Sequence, residues 1–182
     1  MSYIDGERRS ADDLEADLAD LLTHYRVQQF YAEEAARLDD REFDAWLDML
    51  TEDVYYRIPV RTTTAEGGRD EFLDLCHLDD NRWRLEKRVE RLQTEHAWAE
   101  RPATRTRHFA TGIRVVDDDG DELAVRSNLL VFLNRGSSPD YHTLSAERAD
   151  RLRRTDDGLK LADRTVYLDH STLPLDKLSI FL

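Results

Sequence analysis

Between Phe30 and Arg61 the chain reads FYAEEAARLDDREFDAWLDMLTEDVYYRIPVR, and no other stretch constrains the fold as much. Tyr31, Ala35 and Leu38 extend a helical stripe that begins at Val27. The polar run Asp39-Asp40-Arg41 interrupts it. Asp39, with Glu42 three residues on, reads as a capping box for a second helix. In that helix Phe43, Trp46, Leu47 and Leu50 fall at i, i+3, i+4 and i+7, a core-facing stripe. Val54, Tyr56, Ile58 and Val60 then alternate with Tyr55, Arg57 and Pro59, the period of a strand. Pro59 has no N–H for a ladder, which predicts a strand at a sheet edge or one that ends there. The stretch is built to pack, and its marked features are structural rather than catalytic.

Upstream, Leu14, Leu18, Leu21, Leu22 and Tyr25 recur at helical spacing. A small phase drift before Val27 predicts a kink or two consecutive helices. Residues 1–10 read as a loose leader, and residues 11–182 as one domain, the natural prior at this length. Downstream, Thr62 to Gly68 reads as a loop. Glu71 to Trp98 reads as mostly helical, with a break at His77 to Asn81, the stripe Leu85, Val89 and Leu92, and an end at Arg101-Pro102. Everything after Thr104 is strand-like. Leu123, Val125, Leu129, Val131 and Leu133 share one face of a long strand. Asp117 to Asp121, Gly136 to Pro139 and Asp156-Asp157-Gly158 supply turn chemistry, so the strands form an antiparallel meander. Many Arg and Asp residues fall on what reads as the outward strand faces. Helices first and strands later define an α+β class.

Charge and cysteine usage exclude several functions. Lys and Arg total 26 against 39 Asp and Glu, a formal charge of −13, which repels nucleic acid and anionic membranes. The lone Cys76 cannot form an internal disulfide, a Cys-based zinc site or an iron–sulfur cluster, and fits a reducing cytoplasm. The N-terminus lacks the apolar core of a secretory signal, and no run of apolar residues is long enough to span a bilayer.

The order helix, helix, strand, helix, four-strand meander resembles the NTF2-like cone, with N-terminal helices packed on a strongly curved, mixed, mainly antiparallel sheet. Within that superfamily the chain resembles the small (beta) subunit of aromatic-ring-hydroxylating dioxygenases. The matching segments run from about residue 15 to the end. They include Phe30-Tyr31-x-Glu33, Leu38-Asp39-Asp40-Arg41-x-Phe43-x-x-Trp46-Leu47, Leu50-Thr51-Glu52-Asp53-Val54-x-Tyr56 and Ile58-Pro59-Val60-Arg61. Later ones are Arg105-Thr106-Arg107-His108, Val125-Arg126-Ser127-Asn128, Glu147-Arg148-x-Asp150-x-Leu152-Arg153, Arg164-Thr165-Val166-x-Leu168-Asp169 and Leu178-Ser179-Ile180-Phe181-Leu182. The resemblance implies an assembly subunit with no catalytic, cofactor or metal ligands of its own. Its partner would be a large (alpha) subunit carrying a Rieske [2Fe-2S] cluster and mononuclear Fe(II), in an α3β3 hexamer that also joins copies of this chain. Ferredoxin and reductase components would deliver NAD(P)H-derived electrons to the alpha subunit. The product would be a cis-dihydrodiol. The aromatic substrate, set mostly by the large subunit, stays open among benzoate-, biphenyl-, naphthalene- and cumene-type compounds.

The residues themselves offer little chemistry. His24, His77, His96, His108, His142 and His170 form no HxxxH, HExxH or HxH pattern. His108 stands beside Arg105 and Arg107, as a sheet-face salt-bridge cluster or a contact for an acidic partner. Arg105, Arg107 and His108, with the apolar end Ile180, Phe181 and Leu182, are the candidate subunit interface. Trp83 sits in an Arg-rich helix that reads as a solvated or subunit-contact face. The alternative is a stand-alone NTF2-like isomerase or dehydratase of a small cyclic substrate. Such an enzyme needs a base in the cone with an acid or Tyr beside it. In isomerase-like members the base resembles a carboxylate just before the strand's proline. Here that residue is Ile58, which moves no proton. Tyr31, Asp53, Tyr56 and His108 remain the places to look for an acid/base pair, with Tyr31 and Tyr56 also readable as core tyrosines and Asp53 as a turn residue. A partner-binding NTF2-like module is a third reading that composition does not separate from the first.

Overall fold

The fold is described from a computed structural model covering residues 10–62, 71–93, 103–174, 178 and 180–182. The elements in chain order are α1 (Ala11–Asp39), α2 (Phe43–Asp48), β1 (Leu50–Thr62), β2 (Glu71–Asn81), α3 (Arg82–Gln93), β3 (Thr104–Asp118), β4 (Glu122–Arg135), β5 (Tyr141–Thr155) and β6 (Gly158–Leu168). The six strands form one sheet in the order β2-β1-β6-β5-β4-β3. Only the β1–β6 pair is parallel, so the sheet is mixed and mainly antiparallel, as expected for the α+β class.

α1 is one continuous helix, without the kink that the phase change suggested. Ser10 caps it with a full capping box, its hydroxyl accepting from the Asp13 N–H at 3.1 Å while the Asp13 carboxylate accepts from the Ser10 N–H at 3.0 Å. Val27, Phe30, Tyr31, Glu34 and Leu38 form its buried face. The earlier leucine stripe does not join them. Leu18 and Val27 lie nine residues, about two and a half turns, apart and so on opposite sides of the helix. Leu14, Leu18, Leu21, Leu22 and Tyr25 are all exposed.

The capping box expected at Asp39 and Glu42 is absent. Glu42 caps α2 without a side-chain bond, and Asp39 turns to β3 instead. A Schellman motif ends α1: Glu42 N–H donates to Arg37 O at 2.8 Å and Arg41 N–H to Leu38 O at 3.2 Å. Arg41 takes the left-handed position (φ 62°) where glycine is usual.

Two strand expectations are corrected. Glu71 to Trp98, read as mostly helical with a break at His77 to Asn81, opens instead with β2 (Glu71–Asn81), paired antiparallel with β1, and helix begins only at Arg82, where that break ends. β1 is not an edge strand: β2 flanks it on one side and β6 on the other, and it continues past Pro59 to Thr62. The proline is tolerated because the register with β2 shifts on both sides of it, a bulge where no ladder donor is needed. Of the residues read as a leader (1–10), Ser10 is the cap of α1 and 1–9 lie outside the described residues, as do the Thr62 to Gly68 loop beyond Thr62 and the end at Trp98 and Arg101-Pro102.

The core lies between the helices and one sheet face. Trp46, Tyr56, Ile58, Leu85, Val131, Leu152, Leu161, Val166 and Leu182 are at most marginally exposed. The stripe Leu85 and Val89 is buried with Leu92 packed against it, and the inward set of β4 is as read from its alternation.

Candidate functional site

The middle of this apolar core is charged. Glu34 from α1, Arg148 and Asp150 from β5, and Arg164 from β6 are each no more than 3% exposed. Arg164 grips Glu34 at 2.7 and 2.9 Å and Asp150 at 2.7 and 2.9 Å. Arg148 donates to Glu34 at 3.2 Å and to Ser127 at 3.1 Å, and its guanidinium lies 4.6 Å from the Tyr31 ring centroid. Tyr31 donates to Asp150 at 2.8 Å, and Trp46 donates to Glu34 at 3.4 Å. Two carboxylates and two guanidiniums cancel, which is the condition under which charges survive burial.

The C-terminal residues close this cluster. Tyr56 OH donates to the main-chain oxygen of Leu182 and accepts from its N–H at 2.8 Å. Arg164 donates to the same oxygen at 3.0 Å. Phe181 stacks on Trp46 with centroids 4.3 Å apart and meets Phe43 edge-on at 5.9 Å. His108 Nε2 faces the Phe181 carbonyl at 3.0 Å; a carbonyl only accepts, so Nε2 carries a proton. Nδ1 of the same ring lies 2.6 Å from Asp39.

These environments fix protonation. Burial alone would raise the Glu34 pKa, but Arg164 and Arg148 outweigh it and hold it below the usual carboxylate range. Burial and Asp150 push the Tyr31 phenol well up, and burial pushes Tyr56 up to about 12. Both are core tyrosines whose hydroxyls donate to partners within the chain, the structural alternative posed above. Asp39 follows the Glu34 pattern: burial would raise it, yet hydrogen bonds from the His108 ring and backbone and from Thr106 lower it. A depressed folded-state pKa contributes stability above the unfolded value, about 3.9, and loses it as pH falls through the folded one. The stability gap between wild type and Asp39→Asn is therefore expected to be full at neutral pH and to close below about pH 4, read as urea midpoints across a pH series.

The candidate interface residues divide into two sets. Strand alternation sends Arg105 and Arg107 outward, Arg105 bonding Asn134 at 3.3 Å and Gly136 O at 3.2 Å. Arg107 is exposed and reaches Asp39 at 3.6 Å. His108, Phe181 and Leu182 are buried within their own chain, and Ile180 is partly buried. Asp53 sits inside β1, not at a turn; its exposed carboxylate bonds Arg153 at 2.8 and 3.1 Å, and those bonds lower its pKa to about 2. Ile58 is wholly buried. Many strand Arg and Asp residues read as outward, but Arg148, Asp150 and Arg164 point inward, and Glu34 enters the core beside them. Their signal was period two: Leu144, Ala146, Arg148, Asp150 and Leu152 share one parity.

Among the described residues no group of three or more His, Cys, Asp or Glu is placed to hold a metal. Among the described residues no helix is long and apolar enough to cross a membrane. A groove of about 470 Å³ is open to solvent between α1 and the β5–β6 turn, with Phe30, Met49, Leu123 and Leu159 as its apolar lining.

This mixed open sheet with helices packed over its core is an NTF2-like fold. One solved NTF2-like protein with a cystatin-like fold, from Novosphingobium aromaticivorans, superimposes with a TM-score of 0.60 at 18% identity, covering 90% of this chain and 92% of that one. The family model "Ring hydroxylating beta subunit" matches residues 33–175, and the chain belongs to that family. The beta subunit of biphenyl 2,3-dioxygenase from Rhodococcus jostii is 37% identical over 167 residues, 86% of this chain and 87% of that protein. A chain of naphthalene 1,2-dioxygenase, solved with indole in the active site, superimposes with a TM-score of 0.80 at 26% identity, covering 96% of this chain and 95% of that one.

Proposed function

We propose that this chain is the non-catalytic beta subunit of a terminal dioxygenase that converts an aromatic compound to a cis-dihydrodiol. Family membership supplies the class. The single observation that carries the non-catalytic part is the filled core: the place where an NTF2-like enzyme would keep its base holds Ile58, a neutral ion cluster and the chain's own Phe181 and Leu182. Catalysis then belongs to a partner alpha subunit with a Rieske [2Fe-2S] cluster and mononuclear Fe(II), fed by ferredoxin and reductase components. The lone Cys76 supports that division, since a cluster needs several thiolate or imidazole ligands. Residues 11–182 act as one folding unit within a cytoplasmic α3β3 hexamer. Arg105 and Arg107 present the outer face of the interface, and His108, Ile180, Phe181 and Leu182 set its shape from beneath.

Native mass spectrometry with iron analysis, on the tagged chain drawn gently from its source cells, tests the reading. Equal numbers of this chain and a larger iron-bearing chain are expected. A metal-free assembly of this chain alone, at normal expression, would overturn it and return the isolated-enzyme alternative.

A further inference from the structure

Strand alternation turns His108 inward from β3, opposite Val131 of β4, while its neighbours Arg107 and Phe109 look out. The ring lands between two other parts of the chain. Nδ1 lies 2.6 Å from the Asp39 carboxylate at the end of α1, and Nε2 lies 3.0 Å from the main-chain oxygen of Phe181. The His108 and Asp39 side chains are each only 4% exposed.

Both partners only accept. A peptide carbonyl has no proton to give. Asp39 is ionised: the His108 N–H at 3.1 Å and the Thr106 hydroxyl at 3.0 Å donate to it, and the hydrogen bonds from His108 and Thr106 hold its pKa low. A neutral imidazole carries one N–H and one lone pair. Either tautomer would set that lone pair against an acceptor, at Asp39 or at Phe181, in a place closed to water. The doubly protonated ring satisfies both contacts. The charges on neighbouring elements leave this unchanged. Arg107 is exposed and stands 3.6 Å from Asp39. Arg41 borders a cavity of about 20 Å³ beside the ring, with its guanidinium over Phe43. Arg88 and Arg91 of α3 reach Phe181 through a second small cavity that His108 does not line. The inward residues of β4 here are the apolar Leu129, Val131 and Leu133.

We propose that His108 is kept as an imidazolium and works as a proton-dependent latch: charged, it ties the Phe181–Leu182 end of the chain to α1 and β3, and loss of its Nδ1 proton loosens that end from the core. The hold is present while the ring is charged and is lost as pH rises and removes the proton. Asp39 sets the opposite limit, since acid protonates the carboxylate that the ring binds. The state of the latch reaches the middle of the core, because Phe181 stacks on Trp46 and the Leu182 oxygen accepts from Arg164. The latch lies within one chain and stands whether or not the assembly reading does.

Two measurements on the full chain test it. In nitrogen-15-labelled protein, with His108 assigned by the signals missing from His108→Gln, both ring nitrogens are expected to carry protons at pH 7. Hydrogen–deuterium exchange of the segment containing Ile180, Phe181 and Leu182, corrected for the intrinsic effect of pH, is expected to accelerate about tenfold or more from pH 7 to pH 9, as for one buried group left unpaired. Asp39→Asn separates charge from structure. Its amide can turn an N–H toward a neutral Nδ1, so the ring is expected to carry one proton at pH 7 and the pH dependence of exchange to shrink. His108→Gln is expected to exchange faster at both pH values, with no such pH dependence left. A single protonated ring nitrogen in the wild type at pH 7 overturns the proposal, and so does corrected exchange that is equal at pH 7 and pH 9. Wild-type pH dependence surviving in His108→Gln also overturns it, by moving the switch to another group.

Discussion

Arg164→Met is expected to destabilise the protein by about 3–5 kcal/mol, enough to lower its yield severely. The substitution keeps the volume and removes the charge that serves two carboxylates and the Leu182 oxygen at once. Glu34 and Asp150 would then share the core with Arg148 alone. Glu34→Gln and Arg148→Met, each alone, also unbalance the cluster, whereas together they restore neutrality around the remaining Arg164–Asp150 pair. The double variant is therefore expected to lose less than the sum of the single losses, by roughly 1–3 kcal/mol in a double-mutant cycle of urea unfolding. Strict additivity would show that Glu34 and Arg148 act independently. Buried ion pairs are weak evidence for stability in themselves, since apolar replacements of similar volume are often as stable. The cost described here is that of leaving a charge unpaired.

That cluster also marks where reading the sequence fell short. Several periodic readings held: the inward leucines and valines of β4, the Leu85–Val89 stripe and the acidic hairpin turns are as the pattern demanded. Charge overrode pattern at Arg148 and Asp150. Both lie on the buried parity of β5, but polarity argues for solvent, and nothing local announces a neutralising partner on β6 and α1. The converse error lies in α1, where five apolar residues at helical spacing face water; periodicity shows a stripe but not its direction relative to the next one. β2 was hidden for a third reason. It is largely exposed, with Asp74, His77 and Asp79 between its apolar residues, so it lacks the clean alternation of a half-buried strand. Pro59 shows a rule outvoted by context, since a bulge removes the need for the donor that proline lacks. The subunit class was legible because its motifs are spread along the whole chain. The chemistry of the core was not, because it is made by groups more than a hundred residues apart, such as Glu34 and Arg164.

A chain ending at Lys177 is expected to fail to assemble and to accumulate as insoluble or proteolysed protein. The loss has two parts. Removing Phe181 takes an aromatic ring from between Trp46 and Phe43, and removing Leu182 empties a fully buried site; large-to-small changes of these kinds cost about 3–5 and 2–5 kcal/mol. Truncation also strands polar groups that have no other described partner for those bonds. Tyr56 loses both its donor and its acceptor on Leu182, and His108 Nε2 loses the Phe181 carbonyl, at about 1–3 kcal/mol for each buried group left unsatisfied. The sum is comparable with the whole 5–15 kcal/mol that holds a typical domain folded. Phe181→Leu separates these parts, because it keeps the backbone bonds and most of the volume; it should assemble with a lowered melting temperature. Arg107→Ala supplies the opposite control, since its side chain is outside the core and its removal should leave the isolated fold almost unchanged. Normal co-purification of the truncated chain with its partner would show that the buried end is dispensable, and would remove Ile180, Phe181 and Leu182 from any account of assembly.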